Sequence, residues 1–377
     1  MKTTLFIIVF LGVFALINMY ISRRYINHLH VTPKQKQWMR YFLYFNYLGI
    51  ILYMLGRYSG EFPNWLFFLV SLPIGILFLL FCTAIFYDLS RVFLQLSPIA
   101  PKRRDFFKKT LDISSFGLAF ALSAKAMYEA KFIKLEKINV QLKNLQKSYK
   151  IVQLSDIHVG GVVDAAFIRN IVQRVNDLHP DIVVITGDLV DVELSYAMRA
   201  LDELKKLNTK YGTYFILGNH EYFHGVDEII TAVKSLNIKV LENENVYIGE
   251  KDQGFNLAGV YDVFGYRVLH HLPDLQKALQ SKNNTSPTVL LAHQPRYIEE
   301  VTKGVDLVLS GHTHGGQLYP FRFLVQLQQP YIDGLHQHNA DLQIYVNKGT
   351  GFWGPPMRLG ANSEITEITL LPRSLSL

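Results

Sequence analysis

Residues 150–158 read Lys-Ile-Val-Gln-Leu-Ser-Asp-Ile-His, and the rest of the chain is organised around them. A short apolar run with period-2 character, stopping at an acid and a histidine, reads as a strand delivering two side chains to its C-terminal edge. Residues i and i+2 of a strand point to the same side, so Asp156 and His158 can grip one metal ion. The pair alone is a weak signal. It gains weight only if later strands end on further ligands.

Later strands do. After an alternating run at Ile138, Val140 and Leu142 and the opening strand comes a helix over Ala165–Leu178, with Phe167, Ile168, Ile171, Val172 and Val175 at helical spacing. Pro180 stops it, and the buried strand Asp181–Ile185 runs into Thr186-Gly187-Asp188. A helix over Tyr196–Leu207 leads to Thr213–Leu217, which ends in Gly218-Asn219-His220-Glu221. Beyond a helix over Val226–Leu236 lie short strands at Lys239–Leu241 and Phe255–Val260, then an irregular region over 261–284. Thr288–Ala292 ends on His293, and Val305–Leu309 ends on Ser310-Gly311-His312-Thr313-His314. Final strands cover Gln343–Asn347 and Glu364–Leu371. Strand C-terminal edges are where open α/β sheets place their sites, and chance seldom puts metal-type side chains at so many of them.

The collected groups are Asp156, His158, Asp188, Asn219, His220, His293, His312 and His314. All are nitrogen or oxygen donors, and the only cysteine, Cys82, lies in an apolar stretch and excludes a Cys-rich site. Such a set suits Mn, Fe, Zn or Co and is too rich in nitrogen for Mg or Ca alone. Seven ligands with one shared carboxylate make two sites of four, a dinuclear hydrolytic centre with metals about 3.5–4 Å apart. The glycines before Asp188, Asn219 and His312 permit the tight turns that aim those side chains. His270, His271, His336 and His338 accompany no strand end and read as loop histidines, and Tyr222 and Phe223 as pocket wall.

The order D-x-H, G-D, G-N-H-E, a lone H and G-H-T-H resembles the signature of calcineurin-like metallophosphoesterases over roughly residues 150–350. The longer forms, Ser155–His158 with Gly160 and Gly311-His-Thr-His-Gly-Gly-Gln317, look like the membrane-associated bacterial branch with twin-arginine signals. The resemblance implies an α/β/β/α sandwich in which Asp156, His158, Asp188 and His314 hold one metal. Asp188 then bridges to a second held by Asn219, His293 and His312, the pair being Mn, Fe or Zn. It further implies attack of a metal-bridging hydroxide on phosphorus, with His220 as general acid oriented by a carboxylate, for which Glu221 is one candidate. Arg296 and Arg358 are candidate phosphate clamps.

The remainder reads as membrane. At 377 residues with 49% hydrophobic content and a positive mean hydropathy, the chain holds more than a soluble domain. Apolar segments at 4–21, 38–58, 65–87 and, more weakly, 111–130 give three or four spans, so 1–130 is a membrane region and 131–377 the catalytic domain. The net charge of +7 gathers in loops: Arg23, Arg24, Lys34 and Lys36, then Lys102, Arg103, Arg104, Lys108 and Lys109. The connection between the second and third spans carries only Arg57 beside Glu61. That patterning is an orientation signal and argues against nucleic acid as a partner. With both basic loops cytoplasmic, a spanning 111–130 puts the catalytic domain outside the cytoplasm. Arg103-Arg-Asp-Phe-Phe-Lys108 also resembles a twin-arginine export signal. The expected protein is a multi-pass membrane phosphohydrolase acting on a phosphomonoester or phosphodiester, with a lipid-linked or envelope substrate favoured by proximity. A nucleotide-lipid pyrophosphatase and a non-enzymatic membrane scaffold or sensor are the alternatives.

Overall fold

The computed structural model describes residues 2–59 and 62–373, so Glu61 lies outside the described residues. It falls into two compact units, Met1–Lys131 with Gly354–Leu359, and Phe132–Trp353 with Gly360–Leu377.

The first unit is helical. α1 (Lys2–Tyr20) continues through one π turn and one 3₁₀ turn to His28, followed by α2 (Pro33–Ser59), α3 (Asn64–Leu96) and α4 (Pro101–Glu129). Thr4–His28 and Asn64–Leu96 are long and apolar enough to cross a membrane, while α2 and α4 are long enough but more polar. The inner faces pack Ile21, Tyr25, Leu43, Ile50, Leu77, Ala84, Tyr87 and Ala119 together, whereas Ile8, Phe45, Leu69, Phe86 and Phe93 are exposed. An apolar exterior of this extent suits hydrocarbon better than water. Asp112, whose charge weakens the sequence signal for the last segment, is buried and fully partnered. Its carboxylate accepts from Tyr87 Oη at 2.6 Å and the His30 amide at 2.7 Å, with His30 Nδ1 2.6 Å away. A buried charge persists only with such partners, so Asp112 pins α3, α4 and the turn before α2 to one another. Arg103 and Arg104 lie in the first turn of α4, and the Arg104 guanidinium donates to the Ser97 and Ile99 carbonyls, each at 3.1 Å.

The second unit is built on two six-stranded sheets. The strands in chain order are β1 (Lys134–Leu142), β2 (Tyr149–Leu154), β3 (Ile182–Thr186), β4 (Thr213–Ile216), β5 (Ile238–Val240), β6 (Glu244–Ile248), β7 (Phe255–Gly259), β8 (Thr288–Leu291), β9 (Leu307–Ser310), β10 (Gly334–Gln337), β11 (Gln343–Val346) and β12 (Glu364–Pro372). One sheet runs β1-β12-β2-β3-β4-β5 and the other β10-β11-β9-β8-β7-β6. Within them β2, β3, β4 and β5 are mutually parallel, as are β7, β8, β9 and β11.

Strand periodicity explains the layers. On β2 and β3, Ile151 and Ile182 pair and face the second sheet, meeting Leu257, Val289 and Leu309. Their neighbours Val152 and Val183 face α5 (Ala165–Asp177), α6 (Leu194–Leu201) and α8 (Val226–Ser235). Ala258, Leu290, Val308 and Ile344 on the far face of the second sheet are covered by Tyr297 and Ile298. The result is the α/β/β/α sandwich. Gln153, the one polar residue in the apolar run of β2, ties the sheets together: its Nε2 donates to Thr186 Oγ1 and to the Ser310 carbonyl, each at 2.9 Å.

Candidate metal centre

Five parallel strands deliver their C-terminal ends to one rim. β2 leads to Asp156 and His158, β3 to Asp188, β4 to Asn219 and His220, β8 to His293, and β9 to His312 and His314. The turns are stitched by backbone bonds across strands: the Asp156 amide to the Gly187 carbonyl, the His158 amide to that of Asp188, and the Gly311 amide to that of His293. Glycine is needed where the strand ends touch. Gly187 has a φ of +87° and abuts the His293 ring, and a methyl at Gly218 would collide with the Asp188 carboxylate. Five of the metal-type residues themselves sit in the left-handed region, at φ 50° for Asp156, 54° for His158, 50° for Asp188, 70° for His312 and 50° for His314. Each such residue costs on the order of 1–3 kcal/mol and survives only where its surroundings over-determine it, so the fold places strain at this rim.

The side chains form two clusters. The donor atoms of Asp156, His158 and His314 lie within 4.8 Å of one another, and so do those of Asp188, His293 and His312. Asp188 Oδ2 faces both clusters, 3.3 Å from His293 Nε2 and 3.9 Å from His158 Nε2. Asn219 Oδ1 joins the second cluster, 3.2 Å from His293 Nε2. In the first, His158 Nε2 and His314 Nε2 stand 3.0 Å apart and His314 Nε2 is 3.4 Å from Asp156 Oδ1. Two imidazole nitrogens this close can share one proton in an N–H···N bond, and with the Asp156 oxygen beside them they also present three donors to one cation.

The surrounding bonds set up the same chemistry. His293 Nδ1 lies 2.8 Å from the Thr186 carbonyl and donates to it, which turns Nε2 toward the cluster and Asp188. Asp156 Oδ2 accepts from Ser155 Oγ at 2.5 Å and from the His312 amide at 2.9 Å. Burial alone would raise the Asp188 carboxyl, but His293, His220 and His158 outweigh it and hold the group well below the ordinary carboxylate range. A carboxylate kept ionised amid imidazoles is what a shared ligand requires. Burial and the charge of His293 push His312 down to about 3, leaving its ring neutral and able to donate a lone pair. The residues present therefore fit two divalent ions.

His220 lies beside these clusters with its Nδ1 2.6 Å from Asp191 Oδ1 and its Nε2 3.9 Å from Asp188 Oδ2. The orienting carboxylate is thus Asp191, not the Glu221 considered above. Glu221 is fully buried and turned away to accept from the backbone amides of Gly218 at 2.6 Å, Asp188 at 3.0 Å, Leu189 at 2.8 Å and Val190 at 3.1 Å. It holds the turns that carry Asp188 and Asn219. Asp191 was missed because it follows the apolar pair Leu189-Val190; the G-D-x-x-D spacing was the available signal. Arg296 is half-buried, and its charge is among the causes that depress His312, so it stands near the second cluster. Arg358 is wholly buried in the segment grouped with the helical unit, where its amide donates to the Ala126 carbonyl. His336 and His338 are exposed and bond to the Asp333 carbonyl and the Tyr331 hydroxyl.

The sequence model of the calcineurin-like phosphoesterase family matches residues 149–316, the span from β2 to the end of the last ligand turn. A Helicobacter pylori protein named as an uncharacterized metallophosphoesterase is 37% identical over 371 residues, covering 97% of this chain and 98% of its own. One in Campylobacter jejuni is 32% identical over 97% of this chain and 98% of that protein. A Bos taurus protein named as a transmembrane protein with a metallophosphoesterase domain is 42% identical over 236 residues, 59% of this chain and 53% of its own length. Full-length similarity to the bacterial proteins, added to the strand-end clusters, shows that the chain belongs to the calcineurin-like metallophosphoesterases, a family of metal-dependent phosphohydrolases.

Proposed function

We propose that the chain is a membrane-anchored dinuclear phosphoesterase that cleaves a phosphomonoester or phosphodiester on a lipid-linked substrate. The observation that carries the reading is Asp188, an ionised carboxylate facing two clusters of imidazoles, with His220 at its side. In this reading Asp156, His158, Asp188 and His314 would hold one ion, and Asp188, Asn219, His293 and His312 the other. Such ions, when bound, lower the pKa of water toward neutrality and offset charge on the phosphoryl oxygens. The protein's own groups do the rest. His220 Nε2 presents a proton to the leaving oxygen while Asp191 holds Nδ1 and favours the charged ring. Arg296 takes a phosphoryl oxygen beside the second cluster. With every ligand and His220 in place, a scaffold that merely kept the fold is disfavoured.

Two observations support the lipid-linked class. Helices of membrane length belong to the same chain. In the catalytic unit the ligand turn ending at Gln317 runs directly into exposed Tyr319, Phe321, Phe323, Leu324 and Leu327, an apolar run suited to an acyl chain or a bilayer surface. We further infer a multi-pass anchor that uses α2 and α4 as well, with the basic residues before α2 and at the start of α4 in the cytoplasm and the catalytic unit outside it. Release of product from an aryl phosphodiester in the presence of Mn tests the chemistry. It is expected for the wild type and not for Asp188→Asn; equal rates would remove the enzymatic reading.

A further inference from the structure

We propose that Asp227, His270 and His271 form a separate binding site for one divalent transition ion of the zinc type on the surface of the catalytic unit. None of the three belongs to the clusters above. Their donor atoms all lie within 4.8 Å of one another. His271 Nε2 is 3.0 Å from Asp227 Oδ1, and the His270 and His271 rings lie 4.1 Å apart at 82°.

Neighbouring side chains on an extended chain point to opposite faces. Here Leu269 and His271 adopt left-handed φ values of 56° and 47°, and the turn brings both rings to the side on which Asp227 opens α8. A simple His271–Asp227 hydrogen bond accounts for one ring and leaves the approach of the other unexplained. Two imidazoles with one carboxylate match the donor preference of zinc-type ions, whose bonds of about 2.0–2.2 Å need donors roughly 3–3.5 Å apart. His271 and Asp227 are already at that spacing. His270 and Asp227 are exposed, so an ion can enter from solvent and keep a coordination position for water.

The site connects to the catalytic rim. The Tyr222 hydroxyl, on the short helix α7 (Glu221–His224) that follows His220, donates to the His271 carbonyl at 2.7 Å. On the same helix Phe223 packs edge-on against both His220, at 5.6 Å, and Phe264, at 4.9 Å. An ion joining His271 to Asp227 would clamp the 262–272 loop to α8 and fix the wall beside His220. Occupancy would then set the turnover rate without contact to the phosphate.

Metal counting on purified full-length protein tests this. Chains loaded with zinc and freed of excess by gel filtration should hold one ion more per chain than Asp227→Asn and than the double variant His270→Ala/His271→Ala. Asp227→Asn changes an exposed oxygen and keeps the fold testable if the double variant misfolds. Asp188→Asn should keep the additional ion while losing catalytic ones, which separates failure of this site from failure of the catalytic assignment. Equal zinc counts in the wild type and Asp227→Asn, with both folded, would overturn the proposal.

Discussion

Asp191 and Glu221 have divided two tasks that the sequence leaves undivided. Asp191 holds His220 at 2.6 Å, while Glu221 gathers four backbone amides. The metal-type residues were legible because each terminates a strand and carries a distinctive side chain. The orienting acid was not, because its partner is fixed by a turn whose shape depends on non-glycine residues in the left-handed region, which no composition rule announces. His220→Ala is expected to lower kcat by about 10²–10⁴-fold with unchanged metal content, measured by steady-state kinetics and elemental analysis. Asp191→Asn is expected to cost roughly 10–100-fold and to alter the pH–rate profile, since the ring keeps its place but loses the charge that favours its protonated form. Retention of full rate in Asp191→Asn would remove it from the mechanism.

At the scale of elements, the strands that carry the site read clearly because both their faces are buried, giving continuous apolar runs such as Ile182–Ile185. The edge strands β6 and β10 did not, since their residues are largely half-buried or exposed and lack the alternating signal. Turns behave as parts of elements here. Glu221→Ala leaves four buried amides without an acceptor and should destabilise the protein by about 3 kcal/mol or more, read by chemical denaturation. After the last ligand turn, Arg322 and Asp333 form a two-pronged pair at 2.7 and 2.8 Å that closes the 316–333 segment. The Arg322 hydrogen bond, followed by its charge, holds the Asp333 carboxyl below its ordinary 3.8 despite partial burial. A depressed carboxyl contributes stability above its unfolded value, and that contribution is lost as pH falls through the folded one. The advantage of the wild type over Asp333→Asn should therefore be constant from about pH 5 to 8, begin to fall near about pH 4 and be gone only below the depressed folded value, at no more than about 1 kcal/mol for so solvated a pair. Urea titrations at several pH values check it.

On the scale of the whole molecule, two helices long and apolar enough to cross a membrane and the sandwich were legible from hydropathy and strand-end chemistry. The grouping of Gly354–Leu359 with the helical unit was not, because local sequence carries no record of which distant helix a loop joins. A reporter fused at the C-terminus is expected to be active outside the cytoplasm, and cytoplasmic activity would reverse the inferred topology. The central claim is that Asp188 joins two metal sites into one centre. Electron paramagnetic resonance of the Mn-loaded protein tests it most directly. The account predicts two Mn per chain with the exchange-coupled signal of a close pair, lost in Asp188→Asn. A single, uncoupled Mn per chain in the wild type, with the same spectrum in Asp188→Asn, would contradict it.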